Sequence, residues 1–313
     1  MSPRTESPVL PAMRVLLYVA AFLVFLAGLQ LFLFPERTDS WFAWTIDPPM
    51  TAVFLGAAYW SSAVLEVGGA RSVTWQRARL SVWPVFLFTT LTLVVTLVHL
   101  DRFHLGPAHP LGARVVTWAW LAIYVVVPIA MVLIGVLQAR AGRLPTNSAP
   151  GGGVPPATNS TPDGAGPRPA LPAPVRHLLE VLALIMLTVG AALLVAPLWA
   201  AAWWPWDLTA LTGRAVGAWL VGLGSTAAYT RLRGRRNTVG AVGATAVSFV
   251  ALQLIALIRH GDDLRWTGLP AAGIILVLAV LGVTGIWLLA LSGTARAGRP
   301  NRPVHQRPKH GRI

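Results

Sequence analysis

The sequence contains no cysteine and few charged residues, and both absences narrow the possible functions. Without cysteine, the chain has no disulfides, thiolate nucleophiles, haem–thiolate ligation or iron–sulfur clusters. Charged residues make up 12% of the 313 positions and hydrophobic residues 55%, whereas a soluble globular domain averages roughly 25% charged residues. The composition therefore does not fit a soluble globular protein.

Recognisable catalytic motifs are absent as well. The sequence has no phosphate-binding loop, no Ser/His/Asp set in a recognisable context and no histidine pair within one apolar segment suited to haem. It also lacks a soluble domain large enough for catalysis. An enzyme is therefore the least supported class of function, and we predict no cofactor.

Long apolar runs are the dominant feature of the chain. The first run, residues 15–34, has one uncharged polar residue and is long enough to cross a bilayer as a helix. Seven more follow, at 51–67, 80–100, 115–137, 178–198, 212–230, 239–258 and 270–291. The runs at 51–67 and 212–230 are the weakest, because the first is short and the second contains Arg214 and several glycines. Barrel strands would alternate apolar and polar residues over about 10 positions, so we predict an all-α transmembrane fold of eight helices.

The distribution of charge predicts topology. A net charge of +14 would be compatible with nucleic-acid binding. However, if the N-terminus is cytoplasmic, the inward segments hold most of the basic residues and the outward loops most of the acids, as the positive-inside rule requires. The excess of arginine over lysine, with abundant Ala, Gly and Pro, is typical of a bacterial gene of high G+C content. We therefore predict a multi-pass protein of the bacterial cytoplasmic (inner) membrane with both termini cytoplasmic and no nucleic-acid partner.

The chain contains an internal repeat. Five residues recur 162 positions later, and after a one-residue deletion five more recur 161 positions later. The first set is Arg14, Gly28, Pro35, Trp41 and Trp44 with Arg176, Gly190, Pro197, Trp203 and Trp206; the second is Thr51, Gly56, Ala57, His99 and Asp101 with Thr212, Gly217, Ala218, His260 and Asp262. Four helices per copy return the chain to the same side. We therefore predict two parallel-oriented four-helix repeats, residues 1–138 and 176–292.

Two further segments are predicted to lie outside the membrane. Residues 139–175 are rich in proline and glycine and have almost no large apolar side chain, so we predict a disordered cytoplasmic linker. Residues 293–313 form a basic cytoplasmic tail, which is predicted to contact anionic lipid headgroups; the alternative is a tail that is simply disordered. The lipid bilayer itself is the main predicted partner, and a partner among other membrane proteins is unknown.

The repeat selects four polar residues as the strongest candidate site, namely His99, Asp101, His260 and Asp262. Two imidazoles and two carboxylates around a pseudo-two-fold axis could handle a proton or a solute or bind a divalent metal. The alternative is that both His-x-Asp segments cap helix C-termini at the membrane interface. No metal motif of known spacing is present, so no metal site is assigned.

Other repeated residues are interpreted as structural. Small residues and threonines at the start of two helices predict a packing seam between the repeats; these are Thr51, Gly56, Thr212, Gly213 and Gly217. The alternative is an anion site at free helix N-termini. Trp44 and Trp206 each follow a helix-ending proline by nine residues, which indicates a structured outer-loop motif. Most of the other tryptophans near this side are predicted to form an aromatic belt.

Polar residues inside the spans are few. Glu66 and Glu180 lie near cytoplasmic helix ends and are both interpreted as structural. Glu180 is predicted to pair with Arg176 four residues earlier, and Glu66 lies close to Arg71 in the sequence. Gln253 lies deeper in its span, and a central amide is expected to need a partner on another helix.

One stretch carries a resemblance. Residues 41–60, WFAWTIDPPMTAVFLGAAYW, resemble a segment of uncharacterised multipass membrane proteins of actinobacterial type. The resemblance covers chiefly the first repeat and implies no activity. The duplication alone favours a small-solute or lipid permease with a pathway between the two repeats. The alternative is a non-transporting membrane subunit, or a module that binds an apolar ligand or a metal.

Overall fold

The computed structural model describes residues 7–142 and 170–297, and within them the fold is all-α. Eight long helices account for most of these residues, and the only β-type contacts described are two isolated bridges, Pro8–Thr74 and Ala170–Arg235. The helices are α1 (Pro11–Leu33), α2 (Pro49–Ala70), α3 (Trp75–Val98), α4 (Leu111–Ala141), α5 (Ala173–Val195), α6 (Ala210–Arg233), α7 (Gly240–His260) and α8 (Leu269–Ala297).

The helices extend beyond the predicted apolar runs. α4 and α5 reach into the segment predicted as a linker, and α8 reaches into the predicted tail. Residues 143–169 of the predicted disordered linker and 298–313 of the predicted basic tail lie outside the described residues. Both predictions therefore stay open.

Seven of the eight long helices are long and apolar enough to cross a membrane. This confirms the prediction of an all-α, multi-pass membrane protein. The exception is α6, which contains Arg214, Arg231, Arg233 and several glycines. α6 packs against α5 and α3 and buries much of its surface within the protein, so it needs fewer apolar side chains than a helix that faces lipid. That α6 also crosses the membrane stays a prediction.

Contacts between the ends of the helices show which of these ends lie on the same side of the protein. At one end, the Leu10 amide before α1 donates to Gln138 Oε1 in α4 (2.8 Å), and Arg231 in α6 pairs with Glu180 in α5 (3.0 Å). We call this the arginine end, because it carries Arg14, Arg71, Arg79, Arg140, Arg176, Arg231, Arg233, Arg235 and Arg236. The opposite end, formed by the connections 34–48, 99–110, 196–209 and 261–268, is the tryptophan end; its connections contain Trp41, Trp44, Trp199, Trp203, Trp204, Trp206 and Trp266.

Glycines bring two pairs of helices into close contact. A Cβ atom on Gly56 of α2 would lie 2.7 Å from the Phe32 amide nitrogen of α1, and one on Gly217 of α6 would lie 2.8 Å from the Gly190 carbonyl oxygen of α5. Gly213 of α6 likewise faces the end of α5. Small residues allow such backbone contact in membrane helices. The seam predicted between residues 1–138 and 176–292 differs in the structure, since these glycines contact the preceding helix of their own half.

Contact between the two halves is made by four central helices, with α2 packed on α7 and α3 on α6. The fully buried Gln253 side chain of α7 donates from Nε2 to the Phe54 carbonyl of α2 (3.1 Å), as the prediction of an interhelical partner required. Gly222 of α6 lies against Phe88 of α3. The outer helices α1, α4, α5 and α8 flank this central layer.

We predict that Gly217→Ala destabilises the protein by about 1–3 kcal/mol, because the added methyl group overpacks the α5–α6 contact. The matched control is Gly135→Ala in α4, where an added Cβ meets nothing within 4 Å; there the loss of chain entropy in the unfolded state should leave stability unchanged or slightly raised. Thermal unfolding in detergent, followed by tryptophan fluorescence, measures both. Equal midpoints for the two variants would contradict the close contact.

Candidate functional site

The first predicted histidine lies at the C-terminal end of α3 and binds an arginine of the other half. His99 Nε2 lies 2.7 Å from Arg214 Nη1 of α6, and Arg214 Nε also donates to the Leu194 carbonyl of α5 (3.0 Å). Because a guanidinium can only donate, Nε2 of His99 accepts and its proton is on Nδ1. Burial, followed by the positive charge of Arg214, lowers the pKa of His99 from its ordinary value of 6.5.

The second histidine has different surroundings. Its neighbour Arg259 donates from Nη1 to the Phe32 carbonyl of α1 (2.7 Å) and lies over the Phe32 ring. The Nε2 atom of His260 is buried and has no hydrogen-bond partner among the described residues. Phe32 and Leu194 are 162 positions apart and are therefore equivalent positions of the repeat. In each half, the carbonyl at this position accepts a hydrogen bond from an arginine of the second half.

The two predicted aspartates do not join the histidines. Asp101 is exposed and pairs with its neighbour Arg102 (3.1 Å), and Asp262 is exposed too. The acid that contacts the other half is the next residue, Asp263, whose Oδ2 accepts from the Met50 amide at the start of α2 (2.9 Å), an N-terminal interaction with the helix dipole. Within residues 7–142 and 170–297 no three or more His, Cys, Asp or Glu side chains are placed to hold a metal ion. Among the described residues, the four predicted side chains thus do not come together as one cluster.

The paired outer-loop tryptophans lie inside the protein. Trp206 is fully buried and donates from Nε1 to Thr51 Oγ1 at the start of α2 (2.9 Å). Trp44 is 3% exposed, packs on Trp120, and its Nε1 has no partner among the described residues. The hydroxyl of Thr212, the repeat equivalent of Thr51, instead takes part in a capping box at the start of α6. Thr51 therefore accepts a hydrogen bond from the other half, whereas the described hydrogen bonds of the Thr212 side chain stay within its own half.

Between the tryptophan end and the arginine end, the central helices form two small cavities. The upper cavity, about 10 Å³, is lined by residues that include Trp44, Thr92 and Trp120. The lower cavity, about 40 Å³, lies nearer the arginine end and is lined by polar residues among apolar ones, namely Ser61, Ser62, Glu66, Thr226 and Thr245. Phe88 of α3 and Trp219 of α6 line both cavities, with ring centroids 3.9 Å apart. These two rings separate one cavity from the other.

Glu66 is the most informative residue of the lower cavity. Its side chain is 2% exposed, and its Oε2 atom has no hydrogen-bond partner among the described residues. Arg71, which is close to Glu66 in the sequence, is not among the described partners of its carboxyl group. A buried charge without a partner costs several kcal/mol, and ionisable groups within membrane spans mark functional sites. The sequence analysis interprets Glu66 as structural because it lies one helical turn from the end of α2, where charged side chains usually reach solvent.

Three buried polar atoms without a described hydrogen-bond partner lie along this interface. Trp44 Nε1 and Thr92 Oγ1 line the upper cavity, and Glu66 Oε2 lines the lower one. The Ser62 and Thr226 hydroxyls donate to carbonyls of their own helices (2.9 Å each), so their oxygens retain the capacity to accept. A volume of about 40 Å³ is enough to hold a water molecule. The interface therefore holds unpartnered polar atoms in two cavities whose walls are mainly apolar.

A separate groove, lined mainly by the second half and by Phe54 of α2, is apolar. It has a volume of about 290 Å³, opens near the tryptophan end and contains no charged side chain. Its walls include Ile185 of α5, Trp203, Phe249 of α7 and Pro270 of α8. These dimensions suit a hydrocarbon chain.

Comparisons with known proteins assign no family: no family model, no curated protein and no solved structure matches the chain. The resemblance of residues 41–60 to actinobacterial membrane proteins therefore stays a prediction. The function has to be argued from the site itself.

We predict that the stability of the protein rises with pH through the window below pH 6.5, partly because of His99. Its pKa is lowered in the folded protein, so the unfolded chain binds more protons in that window, and the stabilisation is complete only above 6.5. The His99→Gln variant should show a smaller difference between the unfolding midpoints at about pH 5.5 and about pH 7.5.

His104 contributes in the same direction, because burial lowers its pKa as well, so the effect of pH should be reduced rather than abolished. The control is His177→Gln, an exposed histidine at the arginine end. If His99→Gln and the wild type respond equally to pH, Arg214 does not hold His99 neutral.

Proposed function

We propose that this protein is a permease for a small solute, with a pathway between its two halves along α2, α3, α6 and α7. The observation that carries the proposal is the unpartnered Glu66 carboxyl in a cavity formed by helices of both halves. A buried carboxyl at such an interface can take up and release a proton during a transport cycle. Glu66 is therefore assigned the coupling proton.

The proposal includes two parallel four-helix repeats, residues 1–138 and 176–292, with all eight helices in the membrane. Matching contacts support it: α1 packs on α2 as α5 packs on α6, and α2 packs on α7 as α6 packs on α3. The contact of α3 with α4 likewise has its counterpart in that of α7 with α8. Each half therefore gives its second and third helices to the interface, which is typical of repeats related by a pseudo-two-fold axis.

The proposed orientation places the arginine end in the cytoplasm. The concentration of arginine at this end supports it through the positive-inside rule. The N-terminal end of α1 and the C-terminal end of α8 both lie at the arginine end, as the contacts Leu10–Gln138 and Gly240–Ser292 indicate. Both termini of the chain would therefore be cytoplasmic. In this orientation the Glu66 cavity lies nearer the cytoplasmic side of a bacterial inner membrane.

The structure then corresponds to a state closed at its outer end. Aromatic rings fill the interface above Glu66, with Trp44 against Trp120 at a centroid distance of 4.9 Å and Phe88 against Trp219 below them. Two cavities of about 40 and about 10 Å³ are too small for a solute, so transport requires the halves to separate at this layer. His99–Arg214 and Trp206–Thr51 cross between halves at the outer end and would have to open for access from outside.

We predict that Glu66 reacts with dicyclohexylcarbodiimide, which modifies protonated carboxyl groups in apolar surroundings. A buried carboxyl without a partner is expected to hold its proton, so peptide mass spectrometry should find the adduct on α2. Glu66→Gln should lose it, while Glu180→Gln, which removes an exposed carboxylate, should keep it. Absence of the adduct on Glu66, or equal labelling of Glu66→Gln, would contradict the assigned role.

We also predict that the interface is reached by water during the transport cycle. Because the chain has no cysteine, single substitutions Ser62→Cys and Thr226→Cys report access without a background. Both should react with a small hydrophilic thiosulfonate in membrane vesicles several times faster than Ala20→Cys and Ala183→Cys. The two controls are equally buried but lie in α1 and α5, away from the cavities.

The pattern of labelling separates the two classes of function. If Ser62→Cys and Thr226→Cys react and the two control variants do not, the result fits a permease whose interface opens to water. If all four positions react equally slowly, the interface is a permanent packing surface, and a non-transporting membrane protein is the better interpretation.

A further inference from the structure

We propose that a pocket of five arginines at the arginine end binds a phosphate-bearing anion. Arg79, Arg176, Arg231, Arg233 and Arg235 line a cavity of about 550 Å³. They come from three parts of the chain: the start of α3, the start of α5, and the end of α6 with the residues after it. The proposal does not rest on Glu66 or on transport, and we call this cavity the arginine pocket.

The frame of the pocket is held by hydrogen bonds. The segment before α5 is joined to the segment after α6 by the bridge between Ala170 and Arg235, and Arg236 Nε donates to the Ala170 carbonyl (3.3 Å). The Arg235 amide donates to Thr238 Oγ1 (2.9 Å). Arg231 is fixed by Glu180, whose Oε2 lies 3.0 Å from Nη2 and 3.2 Å from Nε. The pocket is therefore more than a set of unconnected surface side chains.

The charge in the pocket is not balanced by the described residues. Arg231 has the carboxylate of Glu180, whereas Arg79, Arg176, Arg233 and Arg235 have no carboxylate partner in residues 7–142 and 170–297. Like charges that converge on one cavity repel each other, and the repulsion is relieved when an anion binds between them. The positive-inside rule predicts arginines at this end but not their convergence on one cavity.

A second observation points to a ligand. The Nε atom of Arg79 is buried and has no hydrogen-bond partner among the described residues, while the same side chain lines the pocket. Guanidinium groups bind phosphate oxygens through two parallel hydrogen bonds, and buried donors are normally satisfied. Basic pockets between membrane helices on the cytoplasmic side are the kind of site that binds phosphate headgroups of anionic lipids. A soluble phosphate offers the same chemistry.

The test uses the full-length purified protein and two probes. In the first arm, inorganic phosphate is added to delipidated protein in uncharged detergent, with chloride at the same ionic strength as reference, and the unfolding midpoint is measured. In the second arm, native mass spectrometry compares retention of cardiolipin with that of phosphatidylcholine. A response in the first arm identifies a soluble phosphate as sufficient, and a response in the second arm alone identifies the lipid headgroup.

The variant is R79Q/R233Q, and the control is R14Q/R140Q, which removes two arginines of the same end outside the pocket. Removing two charge-assisted partners should weaken binding at least about tenfold in R79Q/R233Q and leave R14Q/R140Q unchanged. Should R79Q/R233Q fail to fold, R79K/R233K retains the charge but not the two-pronged geometry and should still bind more weakly than the wild type.

Three results would overturn the proposal. The first is that neither phosphate nor cardiolipin acts on the wild type beyond the chloride or phosphatidylcholine reference. The second is an equal loss of binding in R14Q/R140Q and R79Q/R233Q, which would reduce the effect to surface charge. The third is unchanged binding in both pocket variants.

Discussion

Polar groups within the apolar helices must find their partners inside the protein, because a hydrocarbon environment offers none, and the arrangement of the central helices depends on this constraint. The Gln253 amide reaches the Phe54 carbonyl across the two halves, and the buried Tyr59 and Tyr124 hydroxyls pair with each other at 2.8 Å. Such contacts can be made only where helices face one another. The polar side chains therefore fix which surfaces of α2, α4 and α7 are turned inward.

The same constraint explains why α6 is unlike the other helices. Arg214 would be costly in lipid, yet it lies where it binds the Leu194 carbonyl and His99. The Leu194 carbonyl is available because α5 ends beside the start of α6, at the distance that Gly190 and Gly217 permit. His99 is available because α3 packs on α6. Backbone contact through glycine and burial of an arginine thus depend on one another, and the low hydropathy of α6 is a consequence of its central position.

The sequence predicted the helices and their order well, because long apolar runs and loop charges are local properties of the chain. It did not predict which residues meet. Gly56 and Gly217 were expected to join the halves, but a spacing of small residues indicates close packing without naming the neighbouring helix. His99 and His260 were paired by the repeat, although Arg214 and Arg259 occupy different positions within it. Glu66 was interpreted as a structural residue, because its burial near a helix end depends on tertiary contacts.

Glu66 and the arginine pocket involve the same pair of helices. Arg79 belongs to the start of α3 and Arg231 to the last turn of α6, while Val85 of α3 and Thr226 of α6 line the cavity of Glu66. An anion held between Arg79 and the α6 arginines would add a contact across the α3–α6 interface. Any motion that separates α3 from α6 at Glu66 would then have to break that contact. Occupancy of the pocket would therefore favour the closed interface, because the anion binds the closed arrangement more tightly than the open one.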